Sequence, residues 1–146
     1  MRAVIFDIDH TLFTAEQAAH SGVQDLLQIL RRLGIAIGGI SGDDHRALVR
    51  LDEAGLGHYF DKVLCADQAF EPKETAGLHH LLSLLGARPE DSTLVSHAHS
   101  DILLGKDAAL GKTIGVTHGH SNVQPLVEAG ADHIIQDIPA VLDVLE

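Results

Sequence analysis

Cysteine, aromatic residues and positive charge are all scarce in this chain. A single cysteine, Cys65, among 146 residues excludes an intramolecular disulfide and points to a reducing compartment, the cytoplasm. Tryptophan is absent, and four Phe and one Tyr leave a core to be built from Val, Ile, Leu and Ala. Ten Lys and Arg against 21 Asp and Glu give a net charge of −11. That balance argues against a nucleic-acid backbone or an anionic membrane surface as a partner. An anionic small substrate would need local positive charge, from a metal or a placed lysine. No apolar run reaches the roughly 18 residues of a membrane span, and strand-like residues begin at the N-terminus, so neither a span nor a signal peptide is expected. Histidine, by contrast, is abundant, with 11 copies.

The most informative stretch is AVIFDIDHTLF, residues 3–13. Its apolar start suits a strand buried on both faces. Asp7 and Asp9 then stand where the apolar run ends, which is where a parallel sheet presents its chemistry. Two carboxylates roughly 4 Å apart repel by about 4 kcal/mol at an effective dielectric near 20. A proton on one of them, or a bound cation, has to offset this. A cation would let Asp7 stay ionised as a nucleophile, and a raised pKa would let Asp9 act as acid and base.

Further along, Val23, Leu26, Leu27, Leu30 and Leu33 follow helical spacing, and Gly34 is placed as a stop. Residues 35–40 predict a second strand, interrupted by two glycines. Ser41-Gly42-Asp43-Asp44 opens a helix to about residue 54, with Leu48, Val49 and Leu51 on its inner side. Strands are predicted at 62–66, 92–96, 113–117 and 132–135. Helices are predicted at 74–85, 101–110 and 122–129, with a closing helix from 139. This alternation implies right-handed crossovers and an α/β, Rossmann-like three-layer sandwich. Its sheet would be mainly parallel, with five or six strands, in a single domain over residues 1–146. The loops after the strands would gather Asp7, Asp9, Thr11, Ser41, Gly42, the 67–73 loop with Lys73, and the 96–101 and 117–120 turns on one edge. A hydroxyl and free backbone N–H groups at Ser41-Gly42, before a helix, would suit a phosphate.

The D-x-D-x-T motif at Asp7, Asp9 and Thr11 resembles the first motif of the haloacid dehalogenase superfamily. Downstream, residues 94–119 and the LVEAGADHII stretch resemble its phosphoglycolate phosphatase-like branch. The resemblance implies a metal-dependent phosphomonoester hydrolase working through an aspartyl-phosphate on Asp7. Asp9 would be the acid and base, Thr11, Ser41, Gly42 and Lys73 would hold the phosphate, and Asp7, Asp9, Asp101 and residue 97 would hold Mg²⁺. The family carries Gly-Asp where this chain has Ser96-His97. Loss of that acid, and the preference of imidazole for softer ions, opens Mn²⁺, Co²⁺ or Zn²⁺ as alternatives. It equally opens an impaired relative that binds a phosphorylated ligand, a transition metal or a protein partner without turnover.

His10, His45, His97, His99, His118 and His120 fall at predicted strand ends on the active edge, whereas His20, His58, His79, His80 and His133 are placed elsewhere. The intervals from Asp7 to Ser41 and from Ser41 to Lys73 hold a short flap (residues 12–20), two helices and a strand, with no room for the cap domain many relatives insert. A capless site is open to water, so a second copy of the chain is expected to cover it.

Overall fold

The computed structural model describes residues 2–67, 71–120 and 122–145. Part of the 67–73 loop, residues 68–70, lies outside the described residues. Six strands form one wholly parallel sheet: β1 (Ala3–Asp7), β2 (Ala36–Ile40), β3 (Lys62–Leu64), β4 (Ser92–Ser96), β5 (Lys112–Val116) and β6 (His133–Ile135), in the order β3-β2-β1-β4-β5-β6. The helices between them are α1 (Val23–Arg32), α2 (Arg46–Glu53), α3 (Thr75–Leu85), α4 (His99–Asp107), α5 (Val123–Glu128) and α6 (Val141–Val144). None of the described helices is long and apolar enough to cross a membrane.

All five residues of β1 are buried, as the unbroken apolar run predicts, because helices cover both sheet faces. Val4 and Phe6 join Leu26, Leu27, Leu30 and Val141 in one core. Ala3 and Ile5 point the other way, to Leu78, Leu81 and Leu82 of α3 and Leu104 of α4. The two glycines of β2 mark close approach. A Cβ on Gly38 would lie 2.9 Å from Leu85, and one on Gly39 2.9 Å from Ile8. Helix α1 ends as predicted, with Gly34 in the left-handed region at φ 75°. Leu33 is not part of its buried face, however, and is 61% exposed as the C-terminal cap.

Helix α2 also departs from expectation. Ala47 and Leu51 are its buried positions, one turn apart, while Leu48 and Val49 are exposed. The helix is rotated because its inner stripe is only two residues wide, and this turns Arg50 towards the sheet edge.

Register sets the site. Asp7 lies opposite Ile40, and Phe6 lies opposite both Gly39 and Val95. The ends of β1, β2 and β4 therefore coincide, bringing Asp7, Ser41 and Ser96 to neighbouring positions. The flap after β1 folds back as a turn, pinned by an antiparallel bridge between Phe13 and Ala19.

Candidate active site

Asp7 ends β1 with its side chain almost fully buried, at 2% exposure. Its Oδ1 accepts a hydrogen bond from the Lys73 ammonium at 2.8 Å. Its Oδ2 accepts from the Thr11 hydroxyl at 2.9 Å and faces His97 Nδ1 at 3.1 Å. Burial alone would push this carboxyl up; hydrogen bonding from His97 and the charge of Lys73 outweigh it and hold the group below the ordinary carboxylate range. Asp7 is thus a buried, ionised carboxylate whose oxygens are both ordered.

Lys73 is the hub of the site. Its ammonium also donates to Asp101 Oδ2 at 2.7 Å. Burial would lower the lysine, but Asp7 and Asp101 together raise it. The Ser96 hydroxyl, at the end of β4, donates to Asp101 Oδ2 at 2.8 Å and stands 3.3 Å from Asp7. Lys73 comes from the segment before α3, and Gly77 makes room for that segment. A Cβ at residue 77 would stand 1.8 Å from the Glu71 carbonyl oxygen.

Asp9 points elsewhere. Its carboxylate accepts from the Ser41 hydroxyl at 2.6 Å and pairs with Arg50, which also reaches Asp43 at 3.3 Å. Arg50 is the residue that the sequence alone did not single out. The signal for it was its place three residues after Ala47, close to the same helical face.

The phosphate seat expected at Ser41-Gly42 is partly filled by the chain itself. Ser41 Oγ accepts the Asp43 N–H at 3.0 Å, Asp43 Oδ1 accepts the Asp44 N–H at 2.9 Å, and Asp44 Oδ1 accepts the Arg46 N–H at 3.0 Å. Gly42 is exposed and lines a cavity of about 350 Å³ with Asp9, His10 and Arg50.

Four residues were expected to hold a cation: Asp7, Asp9, Asp101 and His97. Three of them meet in one hydrogen-bond network, and Asp9 lies outside it. Among the described residues, no group of three or more His, Cys, Asp or Glu side chains is arranged to hold a metal ion. The space between Asp7 and Asp101 is taken by a lysine ammonium, and a hard dication prefers several oxygen ligands. This donor set, as arranged, does not fit Mg²⁺.

The histidines divide differently from the expectation. His10, His20, His97, His118 and His120 line a cavity of about 490 Å³ with Phe13, Thr117 and Asn122. His45 instead pairs with Asp67 at 3.3 Å, and His99 is exposed in α4. The placement of His20 away from the edge is corrected: the flap returns it, stacked on His118 with ring centroids 3.6 Å apart and 4° between planes. His118 Nε2 donates to the Thr11 carbonyl at 3.0 Å. Burial first, then His20 and the other nearby histidines, push His118 down to about 4. His20 is lowered by burial and by His120.

Two outcomes follow from this geometry. Gly77→Ala would favour the helix by up to about 1 kcal/mol on propensity, but the clash is with backbone, so a net loss of about 1–3 kcal/mol is expected in urea unfolding. A variant as stable as the parent would show that the 71–73 segment is not pinned there. For His118 the folded state refuses a proton that the unfolded chain accepts between pH 6.5 and about 4. Stability therefore falls as pH drops through that window. His118→Asn, which tolerates the residue's left-handed backbone, should recover about 1 kcal/mol at pH 5, discounted for partial exposure. Thermal unfolding at pH 7.5 and 5 measures it.

A family model for haloacid dehalogenase-like hydrolases matches residues 13–109. A phosphoglycolate phosphatase of Pseudomonas fluorescens is 28% identical over 130 residues, covering 85% of this chain and 47% of the relative. A glyceraldehyde 3-phosphate phosphatase of Methanothermobacter thermautotrophicus is 31% identical over 104 residues, covering 70% and 42%. The chain spans about half the length of the curated relatives it matches. In structure it superimposes on a haloacid dehalogenase-like family hydrolase from Streptococcus pneumoniae with a TM-score of 0.85 at 14% identity, covering 100% of this chain and 99% of the other. A hydrolase from Pseudomonas syringae gives 0.82 at 16%, covering 99% and 98%. The family match over residues 13–109 shows that the chain belongs to the haloacid dehalogenase-like hydrolases.

Proposed function

We propose that this chain hydrolyses phosphomonoesters, with Asp7 as the nucleophile that carries the phosphoryl group. The observation behind this is the Asp7–Lys73–Asp101 arrangement, a buried carboxylate kept ionised beside an ammonium. An ionised oxygen supplies the electron pair for attack, and the ammonium offsets the charge of an incoming phosphate.

The steps balance on the chain's own groups. An Asp7 oxygen forms a bond to phosphorus while the ester P–O bond breaks, leaving its electron pair on the departing oxygen. That oxygen takes a proton from Asp9, which has left Arg50 and Ser41 and taken that proton from solvent. Water then attacks the aspartyl-phosphate, the Asp7–phosphate bond breaks, and Asp9 takes the water's proton, restoring the site. In the resting arrangement Asp9 is tied to Ser41 and Arg50. A phosphate is an acceptor of the same kind, so it competes for these donors and frees Asp9. Mg²⁺ or a transition metal serves this chemistry when bound, by polarising the phosphoryl oxygens. The donor set described above does not fit one, and the steps run on the chain's own groups.

Between Asp7 and Lys73 the described residues hold the flap, α1, α2, a 3₁₀ turn and two strands. This favours a capless site, open to a bulky phosphoester and suited to cover by a second copy of the chain.

The test is hydrolysis of an aryl phosphate, with and without divalent cations. Asp7→Asn should lower kcat by at least about a thousandfold, since the reaction loses its covalent route. Mass spectrometry of acid-quenched protein should place a phosphoryl group on the peptide containing Asp7. Activity that survives Asp7→Asn overturns the assignment.

A further inference from the structure

We infer that the Asp7 site works without a divalent cation, because the Lys73 ammonium and the His97 N–H occupy the positions a bound ion would need. The inference rests on the phosphatase reading for its chemistry, but its structural content stands on the hydrogen-bond network alone.

The network decides which form of His97 is present. Asp7 is an acceptor only. The Thr11 hydroxyl gives its single proton to Asp7 Oδ2 at 2.9 Å, so its oxygen is left to accept. It accepts the His97 backbone N–H at 3.1 Å. His97 Nδ1 lies 3.0 Å from that same oxygen and 3.1 Å from Asp7 Oδ2. Both of its neighbours are acceptors, so Nδ1 carries a hydrogen. The nitrogen that faces the nucleophile therefore offers an N–H and no lone pair, and the ring's lone pair is left at Nε2, on the other side of the imidazole. At Nδ1 the imidazole is a donor to Asp7, so no ion is shared between that nitrogen and Asp7.

Lys73 completes the network. One ammonium bonds Asp7 Oδ1 at 2.8 Å and Asp101 Oδ2 at 2.7 Å, bridging the two acids that would otherwise share a cation. Ser96, where the family has glycine, adds a hydroxyl to Asp101 at 2.8 Å. Asp9, the remaining acid, is held by Ser41 and Arg50. Every carboxylate of the site already has a protein donor. The Ser96-His97 pair is therefore one coordinated replacement, in which a hydroxyl and an imidazole N–H take over from an ion.

His97 acts through Asp7 and is a positioning residue. It keeps one carboxylate oxygen oriented while the phosphoryl group is transferred, with bond making and breaking as written above and no further reactant. An asparagine at the same position can offer its side-chain N–H where Nδ1 stands, whereas alanine cannot.

The experiment uses the full chain, stripped with EDTA and verified metal-free by elemental analysis. Calorimetric titration with Mg²⁺ and then Zn²⁺ should show no binding up to millimolar concentration in the parent, while the double variant Lys73→Ala, His97→Asp, which removes the ammonium and supplies an oxygen ligand, should bind Mg²⁺. Aryl phosphate hydrolysis should be unchanged by EDTA in the parent. His97→Ala should lose about ten- to hundredfold in kcat with KM little changed, and His97→Asn should recover most of it. Mg²⁺ or Zn²⁺ binding to the parent, or activity that disappears in EDTA and returns with a metal, overturns the inference and leaves the phosphatase reading standing. Absence of turnover under every condition, with the calorimetric pattern intact, overturns the phosphatase reading and supports the metal-free site.

Discussion

Asp7 and Asp101 place two carboxylates in a space from which water is almost excluded, and the Lys73 ammonium between them offsets their charge. Without it, two acids at the ends of neighbouring elements would repel, and each would cost several kcal/mol to bury unpaired. Thr11 and His97 are arranged around this bridge to serve the second oxygen of Asp7, and Ser96 adds a hydroxyl to the Asp101 oxygen that Lys73 holds. The rest of the edge follows outward: the flap is tied through Thr11 to His118, and β4 is tied through Ser96 to α4.

The scaffold that holds the bridge owes little to polar contacts. Central strands packed on both faces by leucines fix Asp7 and Ser96 to within the register of the sheet. Lys73, in contrast, is delivered by a segment that crosses closely over Gly77. Precision at this site therefore comes from apolar packing on one side and from a single missing methyl group on the other.

Much of this was legible in the chain because it follows from local pattern. An unbroken apolar run ending in acids predicts a buried parallel strand, and the Asp7, Ser41, Lys73 and Asp101 positions come together because each follows or faces a strand end. What was not legible depends on direction. The phase of α2 is set by only two inner residues, Ala47 and Leu51, so Arg50 could not be placed, and with it the orientation of Asp9. His20 meets His118 across nearly a hundred residues of sequence, a contact that no local periodicity encodes. His97 was visible as a substitution, but whether its nitrogen offers a lone pair or a hydrogen depends on Thr11 and Asp7, and only the assembled network decides it.

The sheet order carries a last consequence. β1 and β4 are each hydrogen-bonded on both sides, while the three-residue β3 and β6 form the rims. Local opening of a fold begins at rims and loops, and paired central strands open only with the whole domain. Asp7 and Ser96 are thus permanent features for as long as the chain is folded. Lys73 and the flap lie outside the ladder, so the half of the site that supplies charge and cover can loosen and re-form while the half that bears the nucleophile does not.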